Sequence, residues 1–126
     1  MTQLLLDTNV FLWYFWGSDR IDSVKGLITS EKVEVFVSTV SFWEIVIKMR
    51  TGKLNIDLAE LQSFARDRAF VELPITDEYM KAYRELPSLH RDPFDHMLLA
   101  QAITCPMRLI TGDAILAEYS SLVMVV

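Results

Sequence analysis

Gln3-Leu4-Leu5-Leu6, followed at once by Asp7, is the stretch from which the rest of the chain can be read. A short run that is apolar at successive positions has no face reserved for water. Strands of that kind are buried on both sides and belong to parallel sheets. The run is followed by Val10 to Trp16, apolar at every position and therefore a helix without a polar face. Gly17-Ser18-Asp19 breaks it, and a modest helix is expected from Asp22 to about Ser30.

Further along, Val33 to Val37 is β-branched and aromatic, a second strand. Ser38 to Ser41 offers N-cap residues before Phe42 to Lys48, a helix that Gly52 stops. Leu58, Leu61 and Ala65, with Phe64 beside them, give Asp57 to Arg68 helical spacing. Phe70 to Leu73 is a short strand closed by Pro74, and Thr76 to Leu86 a helix whose acidic start suits the macrodipole. Asp92-Pro93 opens a helix through Ala102, with Asp at the N-cap and Pro at N1. Leu109 to Thr111 is a strand, Asp113 to Tyr119 a helical turn or two, and Leu122 to Val126 a last strand. Strands and helices alternate throughout, without repeat or linker. The expected architecture is a single α/β domain over residues 1–126, a mostly parallel sheet covered by helices on both sides.

The 126 residues suffice for one domain of ordinary size. With 52% hydrophobic and 23% charged residues the chain has a real core, and four Gly and four Pro exclude a collagenous or low-complexity protein. The single cysteine, Cys105, cannot form an intrachain disulfide. The apolar first sixteen residues are interrupted by Asp7 and preceded by no basic segment, a poor signal peptide and too short a membrane span. The expectation is a cytoplasmic protein.

Seventeen acids against twelve bases give a net charge of −5, which repels nucleic acid unless cations intervene. In a parallel sheet, ligands bind at the carboxyl ends of the strands. Asp7 follows the first strand, Glu44 lies early in the helix after the second, Asp92 and Asp95 open one helix, and Asp113 follows a late strand. Parallel topology brings these five acids towards one edge. Carboxylates crowded in a partly dry crevice demand protonation or a cation. Oxygen ligands select Mg²⁺ or Mn²⁺, one or two ions, and His90 and His96 are too few for a histidine-rich zinc site. Setting these five acids aside leaves twelve acids against twelve bases, a neutral exterior. Phosphodiester hydrolysis by metal-activated water is the chemistry such a pocket performs.

These residues also resemble a family. Leu5-Leu6-Asp7-Thr8-Asn9-Val10, Ser41-Phe42-Trp43-Glu44-Ile45, His90-Arg91-Asp92-Pro93-Phe94-Asp95, Leu99-Ala100-Gln101-Ala102 and Ile110-Thr111-Gly112-Asp113 are similar, in order, to segments of the PIN-domain ribonucleases. The nearest likeness is to VapC-type toxins of type II toxin–antitoxin systems. The resemblance implies a three-layer α/β/α sandwich and a magnesium-dependent endoribonuclease acting on single-stranded RNA or exposed RNA loops. It also implies a cognate antitoxin that blocks the site, and a homodimer. By position, Asp7, Glu44, Asp95 and Asp113 match the acidic quartet, with Asp7 and Asp95 as its best metal ligands and Asp92 as an auxiliary acid. His96 stands where many relatives have Arg, and Gly112 fills a variable slot.

Each feature has a plainer reading beside this one. Asp7 and Asp113 serve equally as helix N-caps, and Asp92-Pro93-Phe94-Asp95 as N-cap, N1 and N3 of a well-started helix. Glu44, set among apolar residues, needs a partner, and Lys48 at i+4 is the structural candidate. Asn9 and Thr111 flank the acids and either orient water and the scissile phosphate or satisfy backbone groups. Lys48, Arg50 and Lys53 either hold an RNA backbone or solvate a helix end. The aromatic run from Phe11 to Trp16 suits core plus a dimer or antitoxin contact better than a base-stacking platform.

Rival functions are an aspartyl-nucleophile phosphatase, which wants an acid where Asn9 stands, and a phosphorylated receiver, which wants a strand-end Asp where Asp57 starts a helix. A non-catalytic PIN-like scaffold that binds a protein partner is the remaining alternative.

Overall fold

Five strands, β1 (Thr2–Leu6), β2 (Val33–Ser38), β3 (Val71–Leu73), β4 (Arg108–Thr111) and β5 (Val123–Val125), form one sheet in the computed structural model, which describes residues 1–88 and 92–126. Their order is β3-β2-β1-β4-β5 and every pairing is parallel, so the mostly parallel sheet expected from the sequence is parallel throughout. Six α-helices complete the α/β sandwich: α1 (Thr8–Trp16), α2 (Asp22–Ile28), α3 (Thr39–Arg50), α4 (Leu58–Asp67), α5 (Asp77–Glu85) and α6 (Pro93–Thr104). Short 3₁₀ turns at Asp19–Ile21 and Ala114–Glu118 join the remaining pieces.

The strand alternation sorts the core into two layers. Leu4, Leu6, Val35, Val37 and Ile110 pack with Val10, Phe11, Ile45 and Leu61 on one face of the sheet. Leu5 and Leu109 pack with Leu98, Leu99 and Leu116 on the other. Leu4, Leu5 and Leu6 are all fully buried, as a run without polar alternation requires, and each contributes roughly 1.5–3 kcal/mol.

Helix α1 begins two residues earlier than its apolar run, because Asp7 caps it by accepting the Val10 N–H at 2.8 Å. It ends at Gly17, whose φ of 67° is the left-handed conformation a glycine adopts without strain. The helix is buried less completely than an all-apolar surface alone implies, and its burial falls towards the C-terminus. Val10, Phe11 and Leu12 are buried, Trp13, Tyr14 and Phe15 pack against the core, and only Trp16 stays mostly in solvent.

Order in the sheet fixes where a site can form. The chain builds outward from β1 through β2 to β3, then returns to the other side of β1 for β4 and β5. The crossovers diverge between β1 and β4, and that topological switch leaves a crevice beyond the carboxyl ends of the two strands. Asp7 follows β1 there, and Gly112 and Asp113 follow β4.

Candidate active site

Asp7 is placed at the switch by its backbone and by both carboxylate oxygens. Its N–H donates to Ile110 O at 3.0 Å, tying the end of β1 to β4. Oδ1 accepts the Val10 N–H, and Oδ2 accepts the Thr111 hydroxyl at 2.5 Å. Only 4% of the residue is exposed. Burial pushes its pKa up to about 6, and the nearby Glu44 charge adds to the rise. Hydrogen bonds from Thr111 and the Val10 and Gly112 backbones oppose the rise without cancelling it.

Glu44 projects from α3, whose first turn is fixed by Ser38 as N-cap and by a 3.0 Å bond from the Thr8 hydroxyl to Ser41 Oγ. That bond ties the starts of α1 and α3 together. Glu44 is buried and its carboxylate forms a 2.8 Å ion pair with Lys48 one turn along the helix, so the structural partner expected from the i,i+4 spacing is present.

Asp92 caps α6, accepting the Phe94 N–H at 2.9 Å and the Asp95 N–H at 3.3 Å, with Pro93 at N1. Asp113 caps the 3₁₀ turn after β4 through the Ile115 N–H at 3.0 Å, and its own N–H donates to Thr111 Oγ1 at 3.0 Å. The capping readings of Asp7, Asp92 and Asp113 are therefore all realised. Capping uses part of each carboxylate's acceptor capacity and leaves further lone pairs for other partners.

All five acids line one pocket of about 430 Å³, together with Thr8, Asn9, Trp13, Arg20, Lys48 and Gly112. Among the described residues, no three His, Cys, Asp or Glu side chains stand close enough to be a preformed metal cage. A larger groove near the opposite edge of the sheet, lined by Met1, Tyr14, Glu31, Arg68 and Phe70 among others, contains none of the five.

The remaining expected residues divide. Asn9 and Lys48 line the pocket, whereas exposed Arg50 and Lys53, at and beyond the end of α3, do not. Thr111 is fully buried behind the pocket, with its hydroxyl between Asp7 and the Asp113 N–H. His96 is half-buried, its Nε2 is 3.0 Å from the Tyr119 hydroxyl, and its ring meets Tyr83 edge-on. His90 and Arg91, at the start of the Asp-Pro-Phe-Asp segment, lie outside the described residues. Asp57 caps α4 and does not line the pocket, away from where a receiver would carry its phosphorylated residue.

Four residues of the pocket were not among the expected site residues: Thr8 and Gly112, beside predicted acids, and Trp13 and Arg20. The Trp13 indole packs so closely on Gly112 that a Cβ there would lie 2.6 Å from its Cη2 atom. The Arg20 guanidinium sits over the same indole, 5.0 Å from the ring centroid. The Trp13–Gly112 contact has no local signal, since only the fold joins those segments, and Arg20 reaches the indole across the turn at Gly17 and Ser18.

The PIN domain family model matches residues 4–122. Two solved structures share the fold. One, of VapBC2 from Rickettsia felis bound to a DNA fragment from its promoter, gives a TM-score of 0.73 at 13% identity, covering 99% of this chain and 98% of the other. The second, a toxin–antitoxin complex from Klebsiella pneumoniae, gives 0.68 at 17% identity, covering 96% and 95%. No protein of curated function matches the sequence. With a family match running from β1 almost to β5, and the five-stranded parallel sheet it calls for, the chain belongs to the PIN-domain family.

Proposed function

We propose that this protein is a divalent-metal-dependent endoribonuclease and the toxin of a toxin–antitoxin pair. The observation that carries the reading is that Asp7, Glu44, Asp92, Asp95 and Asp113 line one pocket at the switch point of a PIN-domain sheet. Five carboxylates, with Arg20 and Lys48 as the cations among the described lining residues, form an anionic donor set of hard oxygens. That chemistry fits Mg²⁺ or Mn²⁺ and does not fit a soft metal. The raised pKa of Asp7 expresses the same need, because a desolvated carboxylate gains from a cation.

Asp7, Asp95 and Asp113 would hold the metal, with Glu44 joining once it leaves Lys48 and Asp92 assisting from the α6 N-terminus. A bound divalent ion supplies Lewis acidity that activates water and offsets the charge of the phosphodiester. The chain's own groups do the placing. Thr111 and the Val10 N–H hold the Asp7 carboxylate in one orientation, and the Thr8–Ser41 bond keeps α3 and Glu44 beside it. Asn9, at the pocket wall, orients substrate or water.

The similar structure from Klebsiella pneumoniae is a toxin–antitoxin complex and that from Rickettsia felis is VapBC2, and both support an antitoxin partner, which we place over the pocket. A homodimer accompanies that reading. A cytoplasmic setting belongs to the same proposal; among the described residues no helix is long and apolar enough to cross a membrane.

The deciding test incubates purified, partner-free protein with structured RNA and Mg²⁺, beside EDTA and Asp95→Asn controls. Cleavage confined to the unmodified protein with metal is the expected result. Equal cleavage in all three tubes means contamination and removes the support for this site. The Glu44–Lys48 ion pair, which occupies one of the pocket's carboxylates, favours one second reading, a PIN scaffold that binds a partner and does not cleave. It predicts no cleavage and no Mg²⁺-dependent thermal shift.

A further inference from the structure

Arg20 is a cation at the pocket whose charge no acid in the described structure takes up. Lys48 is committed to Glu44 at 2.8 Å, whereas among the described residues Arg20 makes no ion pair. A polyanionic strand entering a pocket walled by five carboxylates needs a positive group at its edge, and the unclaimed guanidinium is there.

An exposed arginine is ordinarily too mobile to position anything, but three contacts restrict this one. Its backbone N–H donates to Ser18 Oγ at 3.2 Å, and the next residue, Ile21, is buried in the core. Its guanidinium rests over Trp13. Trp13 in turn is seated against Gly112, the residue between Thr111 and Asp113, so the platform under Arg20 keeps register with the acid-bearing loop after β4. A planar fork held at such a place matches the oxygens of a phosphate.

We propose that Arg20, held over Trp13, is a positioning residue that grips a phosphate of the RNA strand adjacent to the scissile one. The inference rests on the ribonuclease reading above.

The test places Arg20→Gln and Arg20→Lys in the Asp95→Asn background and titrates each with a labelled single-stranded oligoribonucleotide over a range of salt. Arg20→Gln is expected to bind about tenfold more weakly, with a log affinity–log salt slope shallower by about 0.7. Arg20→Lys keeps the slope and recovers part of the affinity. With Asp95 restored, Arg20→Gln raises KM about tenfold and leaves kcat within about twofold. A purely structural role for Arg20 would move melting temperature and leave the slope alone. Arg20→Gln binding with the affinity and slope of its Asp95→Asn parent overturns the proposal and leaves the ribonuclease reading intact. If that parent fails to bind RNA and the unmodified protein fails to cleave it, the ribonuclease reading falls and takes this inference with it.

Discussion

The Thr111 hydroxyl donates to Asp7 Oδ2 at 2.5 Å, joining residues 104 positions apart at the ends of adjacent parallel strands. The same oxygen accepts the Asp113 N–H, so one side chain sets the positions of two acids on opposite sides of the switch. Thr111→Val therefore leaves a buried carboxylate oxygen and a backbone N–H without their partner. The expected cost is about 1–3 kcal/mol in urea unfolding, together with a fall in RNA cleavage. Thr111→Ser restores both, since only the hydroxyl is needed.

Asp7 makes stability depend on pH with a definite sign. Its folded pKa of about 6 lies above the ordinary value of 3.8, so the folded state keeps a proton that the unfolded chain releases. Metal-free protein should lose stability as pH rises from about 4 to beyond 6, by roughly 3 kcal/mol from this group alone. Asp7→Asn should flatten that part of a melting-temperature profile. Added Mg²⁺ should stabilise the unmodified protein more at pH 7 than at pH 4.5, because only the ionised carboxylate gains from it.

Lys48 competes with any cation for Glu44. Lys48→Met strands a buried carboxylate, and the metal-free protein should melt lower by an amount equivalent to a few kcal/mol. The same variant should show a larger Mg²⁺-induced rise in melting temperature than the unmodified chain. Equal rises would mean that Glu44 does not meet the ion.

Gly112 has no room for a side chain. A methyl group there would lie 2.6 Å from Trp13 Cη2, so Gly112→Ala must displace the indole or the loop. We expect about 1–3 kcal/mol of destabilisation. Altered near-ultraviolet circular dichroism from Trp13 should accompany it. Trp13→Leu in the Gly112→Ala background should recover much of the loss.

Much of this fold is legible in the amino-acid order because its strands are unmixed in polarity. Leu4 to Leu6 are buried on both faces, and Val35 and Val37 on one with Phe36 half-buried on the other, as their apolar sequences suggest. The capping acids mark helix starts for the same local reason, and the Glu44–Lys48 pair follows from helical spacing alone. Strand order is a different matter. That β1 sits between β2 and β4 depends on long-range pairing, and no local pattern encodes it. Arg20 and Trp13 were invisible as site residues for that reason, since their place follows from Trp13 meeting Gly112 across the fold. Arg50 and Lys53 show the converse. Sequence proximity to Lys48 made them look like one basic segment, but Arg50 lies about half a helical turn round from Lys48 and Lys53 beyond the helix end, and neither reaches the pocket wall.

The late arrival of β4 in the chain has a consequence for biosynthesis. A ribosome that has released β1, β2 and β3 has made Asp7 and Glu44 but not the strand that seats Asp7 from its other side. Asp113 and the Thr111 hydroxyl are synthesised more than 60 residues after Glu44. A nascent chain that has folded only its first three strands is thus without the half of the pocket wall that β4 and the loop after it supply.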